Sequence, residues 1–342
     1  MEPPPALARY KREVDVALRA ILAREGPPLL YRMARYHLGW EDAQGRPTES
    51  AGGKALRPTF CLLACEAVGG DWRRALPAAA ALELVHNFSL VHDDIQDRDR
   101  ERRHRPTVWS LWGESQAINA GDALLSLARL AVLKLAQEGL PPAAVVEAAR
   151  ILDERTLEIV EGQVMDLSFE ERLEVDLASY LEMIEKKTGA LFDCSLRLGA
   201  LVGGGDPAQV EALGRCGRLL GIAFQIRDDM LGVWGAESQT GKPPAADIRR
   251  RKKSLPVIYA LSRAEGSALE DLRQAYSRHE LSDEDVSLVL RCLDVLGAQT
   301  YCRRLAEEQK AAALAELDRL SLKTEAADEL RKTAAFLLER DF

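Results

Sequence analysis

The feature that most limits the fold of this chain is its periodicity. Apolar residues recur at helical spacing through most of the 342 residues, and alternating β-branched runs are few. Glycine and proline punctuate the pattern. Residues 5–25 read as an amphipathic first helix stopped by Gly26, Pro27 and Pro28, and a short helix covers 29–38. Residues 39–52 are loop-like. The segment GGKALRP, 52–58, then opens a helix that runs to about residue 68. Helices are expected over 74–103, 108–138, 142–172 and 177–202, the last with a kink or close approach at Gly189. GGGDP at 203–207 is a break; a helix over 208–234 and a loop over 235–246 follow. Residues 255–342 read as about four packing helices with no catalytic constellation. The fold class is therefore all-α, although size alone suggests two domains.

Chemistry concentrates in His86–Thr107, HNFSLVHDDIQDRDRERRHRPT. Four aspartates (Asp93, Asp94, Asp97, Asp99) and Glu101 precede Arg102 and Arg103. Acid followed by base suits a metal-bound polyanion. Magnesium takes one or two carboxylates plus substrate phosphates, and the arginine fork matches phosphate. On a helix Asp93 and Asp97 share a face about 6 Å apart, roughly with His86, Ser89 and Leu90. Such a pair suits magnesium ions bridged by a diphosphate better than one tightly enclosed ion. Taken alone, the run is more often a solvated, charge-laced helix end.

Other clusters shift that weight. FQIRDDMLG holds Asp228 and Asp229, with Gln225 three and four residues earlier on their face. In EGQVMD, Gln163 and Asp166 end a stripe of Leu152, Thr156 and Ile159. A polar end to a buried stripe needs a partner, unless the helix simply surfaces into solvent. Lys54 and Arg57 share a face at a helix N-terminus, which favours an anion. Lys186, Lys187 and Thr188 precede Gly189, and five basic residues, Arg249–Lys253, follow Asp247.

Composition narrows the classes. Lys plus Arg number 46 against 54 Asp plus Glu, net −8, whereas a general nucleic-acid binder is normally basic. Six cysteines (Cys61, Cys65, Cys194, Cys216, Cys292, Cys302) show neither CxxC pairing nor histidine partners at metal spacing, and read as free thiols of a reducing compartment. The start MEPPPALARY lacks the basic and apolar regions of a signal peptide. No uncharged apolar run reaches the ~18 residues of a membrane span. A cytoplasmic protein is expected, whose product can still be a lipid.

In order, the motifs GGKALRP, VHDDIQD with RR and PT, GQVMD, KKTGAL, FQIRDDMLG, GK and D-x4-K resemble the trans-isoprenyl diphosphate synthases, or polyprenyl synthetases, over almost the whole chain. Each motif is weak alone; the ordered set is specific. The resemblance, closest to the short-chain geranylgeranyl and farnesyl members, implies one domain over 1–342, a bundle of antiparallel helices around a deep central cavity. It implies that Asp93, Asp97 and Asp166 hold magnesium on one side and Asp228 on the other, three ions per site, with Asp94 and Asp229 in support. Arg102, Lys187, Lys242 and Lys252 match positions that contact the allylic diphosphate. Lys54, Arg57, His86 and Arg103 match those that hold the diphosphate of isopentenyl diphosphate. Gln225 and Thr188 match polar positions near the ionising carbon.

The implied reaction is ionisation, condensation and elimination. The allylic carbon–oxygen bond breaks, the double bond of isopentenyl diphosphate attacks the cation to form a trans linkage, and a proton leaves to the departing diphosphate. No side-chain nucleophile is required, and the cation needs a dry cavity. A homodimer is implied. Two departures stand out: Gly232, where the second motif often has a third aspartate, and His104 and Arg105, where glycine is common.

Product length rests on Phe88, five positions before Asp93, where the family tends to floor its cavity with an aromatic residue; Ser89 lies beside it. This implies geranylgeranyl diphosphate, with a farnesyl or longer product as the alternative. An ideal wheel puts Phe88 about 140° from Asp93 and Ser89 about 40° away, so periodicity favours Ser89 and the resemblance Phe88. Among rivals, a terpene cyclase needs no second diphosphate site, which Lys54, Arg57 and Arg103 suggest. A non-catalytic partner subunit usually loses an aspartate motif, and both are kept. A nucleic-acid role for Arg249–Lys253 fits the net charge poorly.

Overall fold

Local chemistry sets where the helices begin. In the computed structural model, which describes residues 3–48, 53, 55–170, 172, 174–236, 243–278, 280–320, 322 and 324–339, both α1 (Pro5–Leu22) and α2 (Pro28–His37) start on a proline. Its missing N–H is one of those a helix start leaves unbonded anyway. Then come α3 (Leu56–Ala67), α4 (Leu76–Gln96), a hairpin of β1 (Glu101–Arg102) and β2 (Arg105–Pro106), α5 (Val108–Trp112), α6 (Glu114–Leu133) and α7 (Pro142–Glu170). After these, α8 (Leu177–Ile184) runs through a π-helical turn, Glu185–Gly189, into α9 (Ala190–Val202). A capping box, Asp206 with Gln209, starts α10 (Pro207–Trp234). The rest is α11 (Ala246–Arg249), α12 (Leu255–Arg263), α13 (Gly266–Ser277), α14 (Asp283–Val295), α15 (Ala298–Arg319) and α16 (Glu325–Glu339). Among the described residues the hairpin is the only sheet, so the all-α expectation holds.

Four boundaries differ from the periodic pattern. The first helix ends at Leu22 rather than 25, because Ala23 leaves the helical region with ψ 65°. The helix expected over 74–103 ends at Gln96: Asp97 N still donates to Asp93 O at 2.8 Å, but Arg98 turns left-handed (φ 56°) and stops it. Arg102 and Arg103 therefore stand on a hairpin. The segment 108–138 is divided at Gly113 into α5 and α6 and ends in a 3₁₀ turn, Lys134–Ala136. The described residues of 255–342 form five helices, against about four expected. The break expected at Gly189 appears as the π turn, which redirects Lys187 and Thr188.

The main core joins α1, α3, α4, α6, α7, α9 and α10. Ala78–Ala81 are fully buried, so α4 packs closely against α3 and α6. Smaller clusters gather α11–α14 and, separately, α8, α10, α12 and α15. A buried carboxylate, Asp193 of α9, ties three helices together: Arg197 Nε lies at 2.8 Å, Arg218 Nε of α10 at 3.1 Å and Arg155 Nε of α7 at 3.2 Å. Those helices carry much of the site described below. All six cysteines are unpaired thiols. No helix among the described residues is long and apolar enough to cross a membrane.

Candidate active site

Asp93 and Asp97 lie one turn apart at the end of α4, and Asp166 faces them from α7. Lys187 Nζ donates to Asp166 Oδ2 at 2.5 Å. Gly162 makes this possible: a Cβ there would sit 2.4 Å from the Lys187 backbone nitrogen, so a side chain would force α7 off the π turn. Burial pushes the Asp93 carboxyl up to about 6; Asp97 and Asp166 add to the shift, and Lys187 and Arg102 oppose it. Burial and the neighbours Asp166 and Asp99 also raise Asp97, against Lys187 and Lys252. Gln163, which the sequence allowed to face the same centre, donates its Nε2 to Gln96 Oε1 at 2.8 Å.

Asp94 is 1 % exposed. Its Oδ1 accepts Arg102 Nε at 2.7 Å, while its buried Oδ2 has no partner. Burial pushes it up to about 6 despite Arg102. Arg102 is thus committed to the acidic cluster in the free protein.

The second motif is built the same way, one carboxylate outward and one inward. Asp228 is exposed on α10, and Asp229 is fully buried. Asp229 accepts the Tyr180 hydroxyl, Leu255 N at 3.0 Å and Gln225 Nε2 at 3.1 Å. Gln225 Oε1 in turn accepts Thr188 Oγ1 at 2.8 Å. The relay Thr188–Gln225–Asp229–Tyr180 links the π turn to α10 and α8. Burial pushes Asp229 up to about 6, against Lys252 and these hydrogen bonds. Desolvation weakens the Lys252 ammonium, but Asp229, Asp247, Asp228 and Asp166 more than offset it and raise its pKa.

The departure at Gly232 has a structural answer. A Cβ at Gly232 would lie 2.1 Å from Asp247 Oδ2 and 2.4 Å from its Cγ. The carboxylate absent from the second motif is thus replaced, in space, by Asp247 of α11. The five-residue basic run is likewise not one clamp. Lys253 Nζ caps the end of α7 through Phe169 O at 2.5 Å and Glu170 O at 3.1 Å. Arg249 pairs with Asp283 at 2.8 Å, Arg250 with Asp99 at 3.1 Å, and Arg251 donates to Arg278 O at 2.6 Å. Lys252 is the member aimed among the carboxylates.

Below the acidic cluster, α4 passes a group of basic side chains. Arg57 opens α3, His86 lies on α4, His37 ends α2 and Arg103 comes from the hairpin. Arg57 Cζ lies 5.0 Å from the Phe192 ring centroid, and its buried Nε has no partner. Burial pushes Arg57 down to about 10, with Glu83 opposing. Desolvation, then Arg57, Arg103, Arg102 and His37, hold His86 well below its ordinary value, so it is neutral. Desolvation and Arg102, Arg103 and Arg105 push His37 down to about 3, and its buried Nε2 is unpartnered. Sequence reasoning missed Glu83 and Asn87. Asn87 Nδ2 donates to Glu83 O at 2.7 Å and Oε1 at 3.1 Å. A lone acid inside an apolar run, with an amide four residues on, was the available signal. Lys54 and Lys242 lie outside the described residues.

The hairpin turn shows what glycine would do at the His104 part of the second departure. Arg103 (φ 53°) and His104 (φ 58°) are both left-handed, as a type I′ turn requires. Glycine takes that conformation freely; these residues do not. Of the two chain-length candidates, Phe88 is 7 % exposed and meets His92 edge-on at 4.9 Å, while Ser89 donates its hydroxyl to His86 O at 2.9 Å. His92 in turn lies against Gly121 of α6.

Residues 45–293 match the Polyprenyl synthetase family. The chain is 40 % identical over 340 residues to a (2E,6E)-farnesyl diphosphate synthase of Mycobacterium bovis, covering 98 % of this chain and 93 % of that protein. It is 41 % identical over 299 residues to a geranylgeranyl diphosphate synthase of Mycobacterium tuberculosis, covering 87 % and 84 %. The crystal structure of a polyprenyl synthetase from Streptomyces coelicolor superposes with TM-score 0.92 at 38 % identity, covering 98 % of this chain and all of that one. An all-α prenyltransferase is the class these likenesses define. The chain belongs to the polyprenyl synthetase family, among relatives that make short-chain prenyl diphosphates.

Proposed function

We propose that this chain, 1–342 acting as one catalytic unit, condenses isopentenyl diphosphate head to tail with an allylic diphosphate and releases geranylgeranyl diphosphate. The observation that carries the reading is the pairing of two oppositely charged centres on α4. The Asp93–Asp97–Asp166 cluster faces Asp228 and Lys252, and Arg57, Arg103 and neutral His86 stand apart with buried unpartnered donors nearby. The carboxylates fit magnesium brought in with a diphosphate. Among the described residues no three acidic, histidine or cysteine groups enclose an ion by themselves, so phosphate oxygens complete the shell, as magnesium prefers. Bound magnesium, three ions per site, supplies neutralisation of charge on the leaving diphosphate.

The chain's own residues do the rest. Lys187 and Lys252, with Arg102, bind the allylic diphosphate. Arg57, His86 and Arg103 bind that of isopentenyl diphosphate and hold its double bond at the allylic carbon. The Thr188 and Gln225 dipoles, fixed through Asp229, face the carbon as it ionises. The proton lost at the end goes to the departing diphosphate. Phe88 floors the cavity. The acidic net charge and the engaged basic run give no support to a nucleic-acid partner, and the free thiols suit a cytoplasmic location.

The test is a product assay with magnesium, isopentenyl diphosphate and each of dimethylallyl, geranyl and farnesyl diphosphate. A single twenty-carbon product supports the reading. A different length keeps the class and removes Phe88 as floor. No elongation moves the assignment to a partner subunit, and hydrocarbon formed without isopentenyl diphosphate moves it to a cyclase. We also propose a homodimer through the exposed apolar faces of α6 (Ile118, Leu130, Leu133) and α7 (Leu157, Val160, Val164). Sedimentation at the monomer mass would remove it.

A further inference from the structure

We propose that Arg105 is a positioning residue for isopentenyl diphosphate: it anchors the hairpin whose turn presents Arg103. The inference rests on the reading of the basic side chains given above. The hairpin has two residues in each strand and two left-handed, non-glycine residues in its turn. An isolated hairpin of that size does not hold itself. Arg102 and Arg105 are also directly paired across it, an unfavourable like-charge contact unless each has its own partner.

Each has one, and the two partners are different. Arg102 is fixed to Asp94 at 2.7 Å. The Arg105 guanidinium lies over the Tyr36 ring, 4.2 Å from its centroid, and donates Nη2 to Glu41 O at 2.7 Å. Tyr36 closes the clamp by donating its hydroxyl to Pro106 O at 2.7 Å, and its ring meets Trp112 edge-on at 5.1 Å. Glu41 is itself held, its carboxylate by Arg35 at 2.6 Å and its backbone by a bridge to Pro47. The anchored turn delivers Arg103 to Gly53, where a Cβ would lie 3.3 Å from Arg103 Nη2 and 3.4 Å from Glu83 Oε1. Because Asp94 keeps Arg102 in place independently, loosening Arg105 falls on Arg103 alone.

The test is steady-state kinetics on the full chain with magnesium, comparing Arg105→Ala, Arg105→Met, Arg105→Lys, Arg103→Ala and the double variant Arg103→Ala/Arg105→Ala. Arg105→Ala is expected to raise the KM for isopentenyl diphosphate about tenfold, with kcat and the allylic KM within about twofold. Arg105→Met, which keeps the stem's packing, gives the same selective rise and serves if the alanine variant does not fold. Arg105→Lys keeps the charge but neither the planar stack nor the fork, so it recovers little. In the double variant the Arg105 change adds less than about twofold to Arg103→Ala. An unchanged isopentenyl KM in Arg105→Ala and Arg105→Met, full recovery by lysine, or multiplicative effects in the double variant would overturn the inference. If Arg103→Ala itself leaves that KM unchanged, the reading of the basic side chains falls, and Arg105 with it.

Discussion

Two helical turns of α4, about 10 Å, separate two centres that, in the reaction proposed above, meet the same chemical group with opposite charge. At the upper one the protein gathers carboxylates, buries them, and leaves Asp93 with a raised pKa. At the lower one it gathers guanidiniums and two histidines held below their ordinary pKa, and leaves Arg57 Nε and His37 Nε2 unpartnered. The upper centre keeps more carboxylates than Arg102, Lys187 and Lys252 can neutralise. The lower already presents fixed cationic donors, Arg57 and Arg103, to an anion. The difference supports the proposed roles: a leaving diphosphate gains from metal charge, which is strongest where charge develops, whereas a diphosphate that only anchors its substrate needs fixed donors. The comparison can be broken or sharpened at several points.

The largest effect is expected at the upper centre. Asp93→Asn and Asp228→Asn should each lower turnover by on the order of 10³, several kcal/mol of lost charge stabilisation, with isopentenyl diphosphate affinity within about twofold. Pre-steady-state turnover and equilibrium binding check this together. An equal loss of isopentenyl diphosphate binding would mean that the centres are not separate.

Next is pH. The Asp93, Asp94 and Asp229 carboxyls stand at about 6 in the folded protein, above their ordinary 3.8. Their contribution to stability is therefore full below about pH 4 and is lost as pH rises through about 6. Metal binding needs the charged forms and grows over the same window. Metal-dependent binding of an allylic diphosphate analogue should weaken roughly tenfold from pH 7.5 to 5.5. Isopentenyl diphosphate meets guanidiniums that stay charged at both values and histidines held below their ordinary pKa, so its affinity should change only as its own diphosphate titrates. Both ligands carry a diphosphate, so its own titration cancels in the comparison. Parallel loss of both would contradict it.

A smaller effect is expected at Phe88, the proposed floor. Phe88→Ala should lengthen the product beyond twenty carbons and cost about 3 kcal/mol of stability, as a buried phenylalanine removed from a packed core does. Product sizing and denaturant melts report the two parts; unchanged chain length rules Phe88 out. The smallest is His104→Gly, which relieves one left-handed residue and should add up to about 1 kcal/mol of stability. A lowered melting temperature would show that the turn is not strained.

How much of this was legible in the sequence depended on whether a contact is local. Helical spacing placed Asp93 with Asp97 and Gln225 with Asp229, and the structure keeps both pairs on one face. The end of α4 was hidden because Arg98, not glycine, takes the left-handed stop. The partner of Arg102 was hidden because leaving the helix at Gln96 is what brings it back to Asp94. Asp247 filling the space over Gly232 depends on packing of α11 against α10. The run Arg249–Lys253 read as one unit, yet a left-handed Arg251 splays its members onto different partners. Arg105 had no motif at all; its meaning lies in Tyr36 and Glu41, far away in the chain.

The most direct test of the two-centre account is calorimetric binding of isopentenyl diphosphate and of a non-ionisable allylic thio-diphosphate, each with magnesium and with a chelator. Isopentenyl diphosphate should bind within about twofold either way, while the allylic analogue should lose on the order of 10² in affinity without the metal. Loss of isopentenyl diphosphate binding on chelation, or retention of the allylic analogue, would contradict the account.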